Sequence, residues 1–172
     1  MHTRIRRIRI RRRLRRLQVH RFRRDERGIS LVEASIVLPI FLLLFGATAE
    51  FGRYFYEYTT LAKATRAGTR YLITAQVNGA EDTTAKNIVV YGNPTGTGSP
   101  ILTGLDPTNI VITRTGGTSI LPQLVKMEVT GYKHQPIFDL GLMTKTAGLS
   151  LNIDVKPSVT MRYLLTQPPP IP

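Results

Sequence analysis

The sequence predicts an α+β protein in which one long N-terminal helix precedes a small antiparallel β domain. Two features of the chain predict it. Ile29 to Ala49 (ISLVEASIVLPIFLLLFGATA) is an apolar run with a single charge, Glu33, and a helical pattern continues beyond it in amphipathic form. After Asn78-Gly79 the texture changes to short β-like runs separated by Gly, Pro, Ser and Thr. The 172 residues suit one domain with an appended helix, and no internal repeat is present.

The first element is a basic tail. Residues 1–27 carry 13 Arg against Asp25 and Glu26, so they hold +11 of the chain's formal +13. The body is therefore nearly neutral, and the high pI says nothing about nucleic-acid binding by it. Ile5, Ile8, Leu14 and Leu17 fall roughly on one face of the tail, which suits an anionic lipid surface. Phe22 is its only aromatic, so base stacking has little support and no nucleic-acid partner is expected.

The second element is the apolar run. A helix of 21 residues spans roughly 31 Å, the thickness of a hydrocarbon core. Pro39 lies inside it, where a membrane helix tolerates proline better than an exposed soluble one. Arginines on one flank place the tail in the cytoplasm and export the body, by the positive-inside rule. Glu33 stands on the tail side of the run, at headgroup depth and in the first turn of a helix, where the dipole favours an acid.

The third element continues the helix. Phe51, Phe55, Tyr58, Ala62, Thr65, Thr69 and Leu72 recur at three and four residues and predict a buried seam. Arg53, Glu57, Lys63, Arg66 and Arg70 take the other face, with Arg53 and Glu57 paired at i,i+4. Ile29 to about Val77 would make one helix of roughly 73 Å, ended by Asn78-Gly79. Strands are then expected at Asn87–Tyr91, Asn109–Arg114, Leu124–Gly131, Leu149–Val155 and Val159–Leu165, with exposed loops from Gly92 and Thr115. The divisions are thus a leader at 1–28, a span at 29–49, an amphipathic extension at 50–77, an exported β-rich region at 78–166 and a Pro-rich tail at 167–172.

Chemistry is sparse. The chain has no cysteine, which excludes disulfides, thiolate metal sites and a cysteine nucleophile. Its histidines, His2, His20 and His134, are too scattered for a metal site. His134 is the only histidine outside the tail, no serine or carboxylate pattern marks it as a base, and a surface position is expected. Glu128, Asp139 and Asp154 lie far apart in sequence, and no phosphate-binding glycine loop occurs. The expectation is a protein that is not an enzyme and needs no cofactor or metal.

Arg27-Gly28 followed by Ile29-Ser30-Leu31-Val32-Glu33 and a long apolar helix resembles the class III leader peptide of the type IV pilin superfamily. That resemblance implies cleavage by a prepilin peptidase between Gly28 and Ile29. Glu33, then fifth in the mature chain, would partner the new α-amino group of a neighbouring subunit. From Val32 to Leu72 the chain is similar to the TadE-like family of the tight-adherence (Tad/Flp) pilus system. The matching positions are Val32, Glu33, Pro39, the Glu50-Phe51-Gly52-Arg53 motif, and Arg66, Gly68, Arg70 and Tyr71. Pro39 is expected to kink the span. Two positions depart from the family habit: Ala34 follows the glutamate in place of an aromatic, and Ile29 replaces an initial phenylalanine.

The resemblance implies a minor pilin or pseudopilin in the bacterial inner membrane. Its N-terminus would be cytoplasmic and its C-terminal domain exported and carried into a pilus. Its partners would be the prepilin peptidase, other pilin subunits and the pilus assembly platform, and its role assembly, adhesion and biofilm formation. Two other readings stand beside it. Ala47-Thr48-Ala49 after the apolar run also resembles a signal-peptidase site, which would release a secreted β-rich binding protein beginning at Glu50. An uncleaved single-pass anchor with a basic cytoplasmic tail is the other.

Overall fold

A computed structural model describes residues 5–139, 141–142, 145–146, 148 and 150–166, and for 5–27 the course of the chain alone. The chain divides into two compact units, one ending at Thr48 and one beginning at Ala49. The architecture is α+β, as the sequence predicts. Helix α1 covers Ile5–Leu72 and runs through Pro39 without interruption. Pro39 has no N–H to give, so the carbonyl four residues back loses its helical partner there. Because α1 already begins at Ile5, Glu33 is not in the first turn of a helix, contrary to the expectation above.

In the first unit no side chain from Gly28 to Thr48 is buried, and Ile29 is 69% and Phe45 76% exposed. In the second unit α1 turns a different face inward. Glu50, Glu57, Leu61, Thr65, Thr69 and Leu72 are buried and Tyr54 is half-buried. That stripe keeps the spacing of a helix face, but it is not the apolar one. Phe51, Phe55 and Tyr58, placed in the seam by their hydrophobicity, are 52%, 60% and 41% exposed. The seam reading holds only for Thr65, Thr69 and Leu72.

The helix ends at Leu72 and not at Val77. Leu164 N–H donates to the Ile73 carbonyl (2.9 Å) and the Tyr163 hydroxyl to that of Ala75 (2.6 Å), so the last segment of the chain closes the helix end. Asn78, read as a stop, is a start. Its side chain accepts the Glu81 N–H (2.8 Å) and caps α2, Gly79–Tyr91. This replaces the strand expected at Asn87–Tyr91. Glu81 and Asp82 sit in the first turn, and Gly92 closes the helix at a φ of +73° that suits glycine. Ala85 and Val89, one turn apart, go into the core.

A 3-10 turn at Pro107–Asn109 leads into β1, Ile110–Gly117, followed by β2, Pro122–Val129, and β3, Ser158–Arg162. The sheet is an antiparallel meander in the order β1-β2-β3, with Ile112 opposite Met127 and Met127 opposite Val159. Val125, Met127 and Val129 alternate inward on the central strand. Three of the expected strands are therefore present, each with shifted ends. The strand expected at Leu149–Val155 is not. Leu149 lies outside the described residues, Ile153 is 44% exposed, and this stretch makes one bridge, Lys133 with Asp154. Its alternation reflects a single buried residue, Val155. The tail 167–172 lies outside the described residues.

Helix, helix and sheet meet at Gly68. A Cβ there would lie 2.6 Å from Val89 Cγ2, 3.0 Å from Met127 Sδ and 3.1 Å from the Ala85 carbonyl oxygen. A helical Gly→Ala change ordinarily gains about 1 kcal/mol, but overpacking a closed core costs about 1–3 kcal/mol. The Ala85 carbonyl belongs to a helix backbone that cannot move aside cheaply, so the clash wins. Thermal unfolding of Gly68→Ala is expected to show a net loss of up to about 2 kcal/mol. Gly52→Ala, where nothing lies within 4 Å, should be neutral or stabilising in the same assay.

Candidate functional site

The residues singled out in the second unit fall into three groups. Gly68 is the packing contact just described. Tyr71 is half-buried and its hydroxyl donates to the Glu81 carboxylate; this hydrogen bond, with burial, raises the phenol above its ordinary value. Arg66 and Arg70 are exposed and have no ion-pair partner among the described residues. The motif Glu50–Arg53 leads to the site with the most developed chemistry.

His134 is 1% exposed, which corrects its expected surface position. The chain delivers it by a short pairing of two extended segments. His134 N–H donates to the Ile153 carbonyl (3.0 Å) and Val155 N–H to that of Tyr132 (2.9 Å). The imidazole then lies between two carboxylates of α1. Glu57 Oε2 is 2.8 Å from Nδ1 and Glu50 Oε2 is 3.2 Å from Nε2. Tyr54, between them on the helix, meets the ring edge-on, with centroids 5.8 Å apart. Glu57 therefore pairs with His134 and not, as expected, with Arg53.

Glu50 carries the heavier load. Its Oε1 accepts both the Ile137 and the Phe138 backbone N–H, each at 2.9 Å, and Arg53 Nη1 lies 3.3 Å from Oε2. Burial by itself would raise this carboxyl. The amides of Phe138 and Ile137, His134 and the Arg53 guanidinium outweigh it and hold Glu50 below the ordinary carboxyl value of 4.5.

Each ring nitrogen thus faces a carboxylate of α1. Both ring nitrogens are engaged within the chain itself. The cluster acts as a clamp that fastens the 134–138 segment to α1. A small cavity of about 100 Å³ is lined by Glu50 and His134 of the cluster together with Phe51, Tyr54, Leu151 and Ile153. A larger open groove of about 730 Å³ lies on the other side, between Gly52, Arg53 and Tyr56 of α1 and Gln135–Ile137. Among the described residues no group of three or more His, Asp or Glu side chains is placed to hold a metal ion.

In the first unit the singled-out residues are open. A Cβ on Gly28 would meet nothing within 4 Å, and Ile29 and Glu33 are exposed. Glu33 has no ion-pair partner among the described residues.

Residues 28–70 match the family described as TadE-like protein. This is the family read above from the motifs, and it points to a pilus-associated protein anchored by one apolar helix. The match stops before α2 and the sheet. No curated protein and no solved structure matches the chain.

Removing the Glu50 carboxylate strands two amides, an imidazole and a guanidinium. Glu50→Ala is expected to lower the unfolding free energy by about 3 kcal/mol, with amide exchange rising first at residues 134–138. The sign with pH follows from the depressed carboxyl. Its contribution is full above about 4.5 and falls away as the pH drops through the folded-state value. Glu50→Gln should lose less stability than the parent on acidification below that point, measured as midpoints of chemical unfolding across a pH series.

Proposed function

We propose that the chain is a minor pilin or pseudopilin of a tight-adherence pilus, cut between Gly28 and Ile29 by a prepilin peptidase. The observation that carries this reading is where the family match begins: at Gly28, the residue before the cut. The surroundings support it. A helical glycine costs about 1 kcal/mol relative to alanine, and among the described residues nothing lies close enough to Gly28 to require one. A requirement from outside, such as access for a peptidase, is then the simplest reason for it.

Glu33 supports the same reading. A carboxylate on a membrane helix is costly unless a positive group meets it, and among the described residues no ion pair reaches Glu33. Cleavage at Gly28 would place Glu33 in the first turn of a new helix and free an α-amino group on Ile29 for the neighbouring subunit. The mature subunit would enter the pilus through α1 and display the α+β unit outside, supporting assembly, adhesion and biofilm formation. The closed imidazole and the scarcity of other acid–base groups fit a structural subunit and not an enzyme.

The N-terminus of the chain recovered from cell envelopes, read by intact mass and terminal peptide mapping, tests the cut. A start at Ile29 is expected. A start at Glu50 would make the chain a secreted domain, and an intact Met1 an uncleaved anchor. Glu33→Ala is expected to insert in the membrane normally and yet be depleted from sheared pili, read by fractionation and immunoblot. Normal incorporation of that variant would refute the assembly role.

A further inference from the structure

Several large apolar side chains of the second unit reach solvent, and the two most exposed lie in and just past the segment clamped to Glu50. Ile137 is 82% and Leu142 80% exposed, more than any other large apolar residue described. The only acid between Lys133 and Lys145 is Asp139, and it is turned inward. Its Oδ1 accepts the Gly141 N–H (2.8 Å) and its Oδ2 the Ser150 hydroxyl (2.9 Å). Lys133 and Lys145, at the two ends of the segment, are exposed. The segment thus offers apolar tips between two cations, with its one carboxylate withdrawn.

Its position is set by the helix. Ile137 N–H and Phe138 N–H both bond to Glu50, one residue past Ala49, the end of the apolar run. That is an axial step of about 1.5 Å, and side chains on a helix lean back toward its N-terminus. The headgroup zone on each side of a bilayer is about 5–8 Å thick. Ile137 also lines a groove together with Ala49 and Gly52. Phe51, 52% exposed on the same turn of α1, adds an aromatic of the kind found at membrane surfaces.

We propose that the segment carrying Ile137 and Leu142 seats against the membrane. Ile137 and Leu142 dip into the headgroup region of the bilayer where α1 emerges, and Lys133 and Lys145 meet lipid phosphates. The proposal rests on reading Ile29–Ala49 as the membrane span. The Glu50–His134 clamp then serves to hold the segment at that depth.

The absence of cysteine makes the test direct. Four single-cysteine variants of the full chain, Ile137→Cys, Leu142→Cys, Leu43→Cys and Ser119→Cys, are labelled with an environment-sensitive fluorophore. Each is placed in nanodiscs of phosphatidylcholine and phosphatidylglycerol, one chain per disc. Ser119 lies in the turn between β1 and β2, at the end of the sheet where Gln123 pairs with Tyr163, whose hydroxyl reaches Ala75 just past the end of α1. Quenching is compared between a lipid-borne nitroxide and aqueous iodide.

Labels at 137 and 142 are expected to be quenched severalfold more by the lipid nitroxide than the label at 119, and severalfold less by iodide. Equal behaviour at all three sites, with Leu43 quenched by lipid, would overturn the seating while leaving the span intact. A Leu43 label open to iodide would remove the span and the proposal with it. Protection at 137 and 142 that needs two chains per disc would assign the surface to a second copy and also overturn it.

Discussion

The second unit depends on one carboxylate. Glu50 sits where the apolar run gives way to a packed domain, and it accepts from two backbone amides, an imidazole and an arginine at once. Each donor comes from a different need. The amides of Ile137 and Phe138 would otherwise go unpaired in an irregular segment, the imidazole is buried, and Arg53 balances the charge. Glu57 completes the pairing from about two turns further along the same face. Two glutamates of α1 therefore do for the chain around residue 134 what apolar side chains do for the rest of the core.

Below this clamp the packing is of a different kind. From Leu61 to Leu72 the helix meets α2 and the central strand through small residues and tight contacts, with Gly68 the point of closest approach. The far end is sealed by hydrogen bonds from Tyr163 and Leu164, so the two ends of the buried stretch are fixed by distant parts of the chain. Thus the residues singled out by resemblance in the sequence divide by their place in the structure. Gly68, Tyr71 and Glu50 build the unit, whereas Gly28, Glu33, Arg66 and Arg70 are left open by it.

What could be read from the letters follows from which forces are local. The apolar run needs only composition, and the central strand only the alternation of Val125, Met127 and Val129, so both were legible. The α2 segment was misread because Ile88-Val89-Val90-Tyr91 has the β-branched composition of a strand. The Asn78 cap, the acids of the first turn and Gly92 outweighed it. The clamp was hidden by the assumption that buried faces are apolar. Counting back from Leu72 through Thr69, Thr65 and Leu61 puts Glu57, Tyr54 and Glu50 on the inner face. Two buried acids call for a polar partner, and His134 is the only histidine outside the tail. That signal was present, but it needed the correct face of the helix first.

The grip of the second unit on α1 has a mechanical consequence. Contacts run along the side of the helix from Glu50 to Leu72, not at its tip. A pull applied at Glu50 along the axis of this stretch would load those contacts side by side, in shear. Ionic contacts at Glu50 and close steric contacts at Gly68 would have to yield together before the stretch could slide. Gripped this way, Glu50–Leu72 resists being drawn out along its axis far better than it resists being peeled from the Leu72 end.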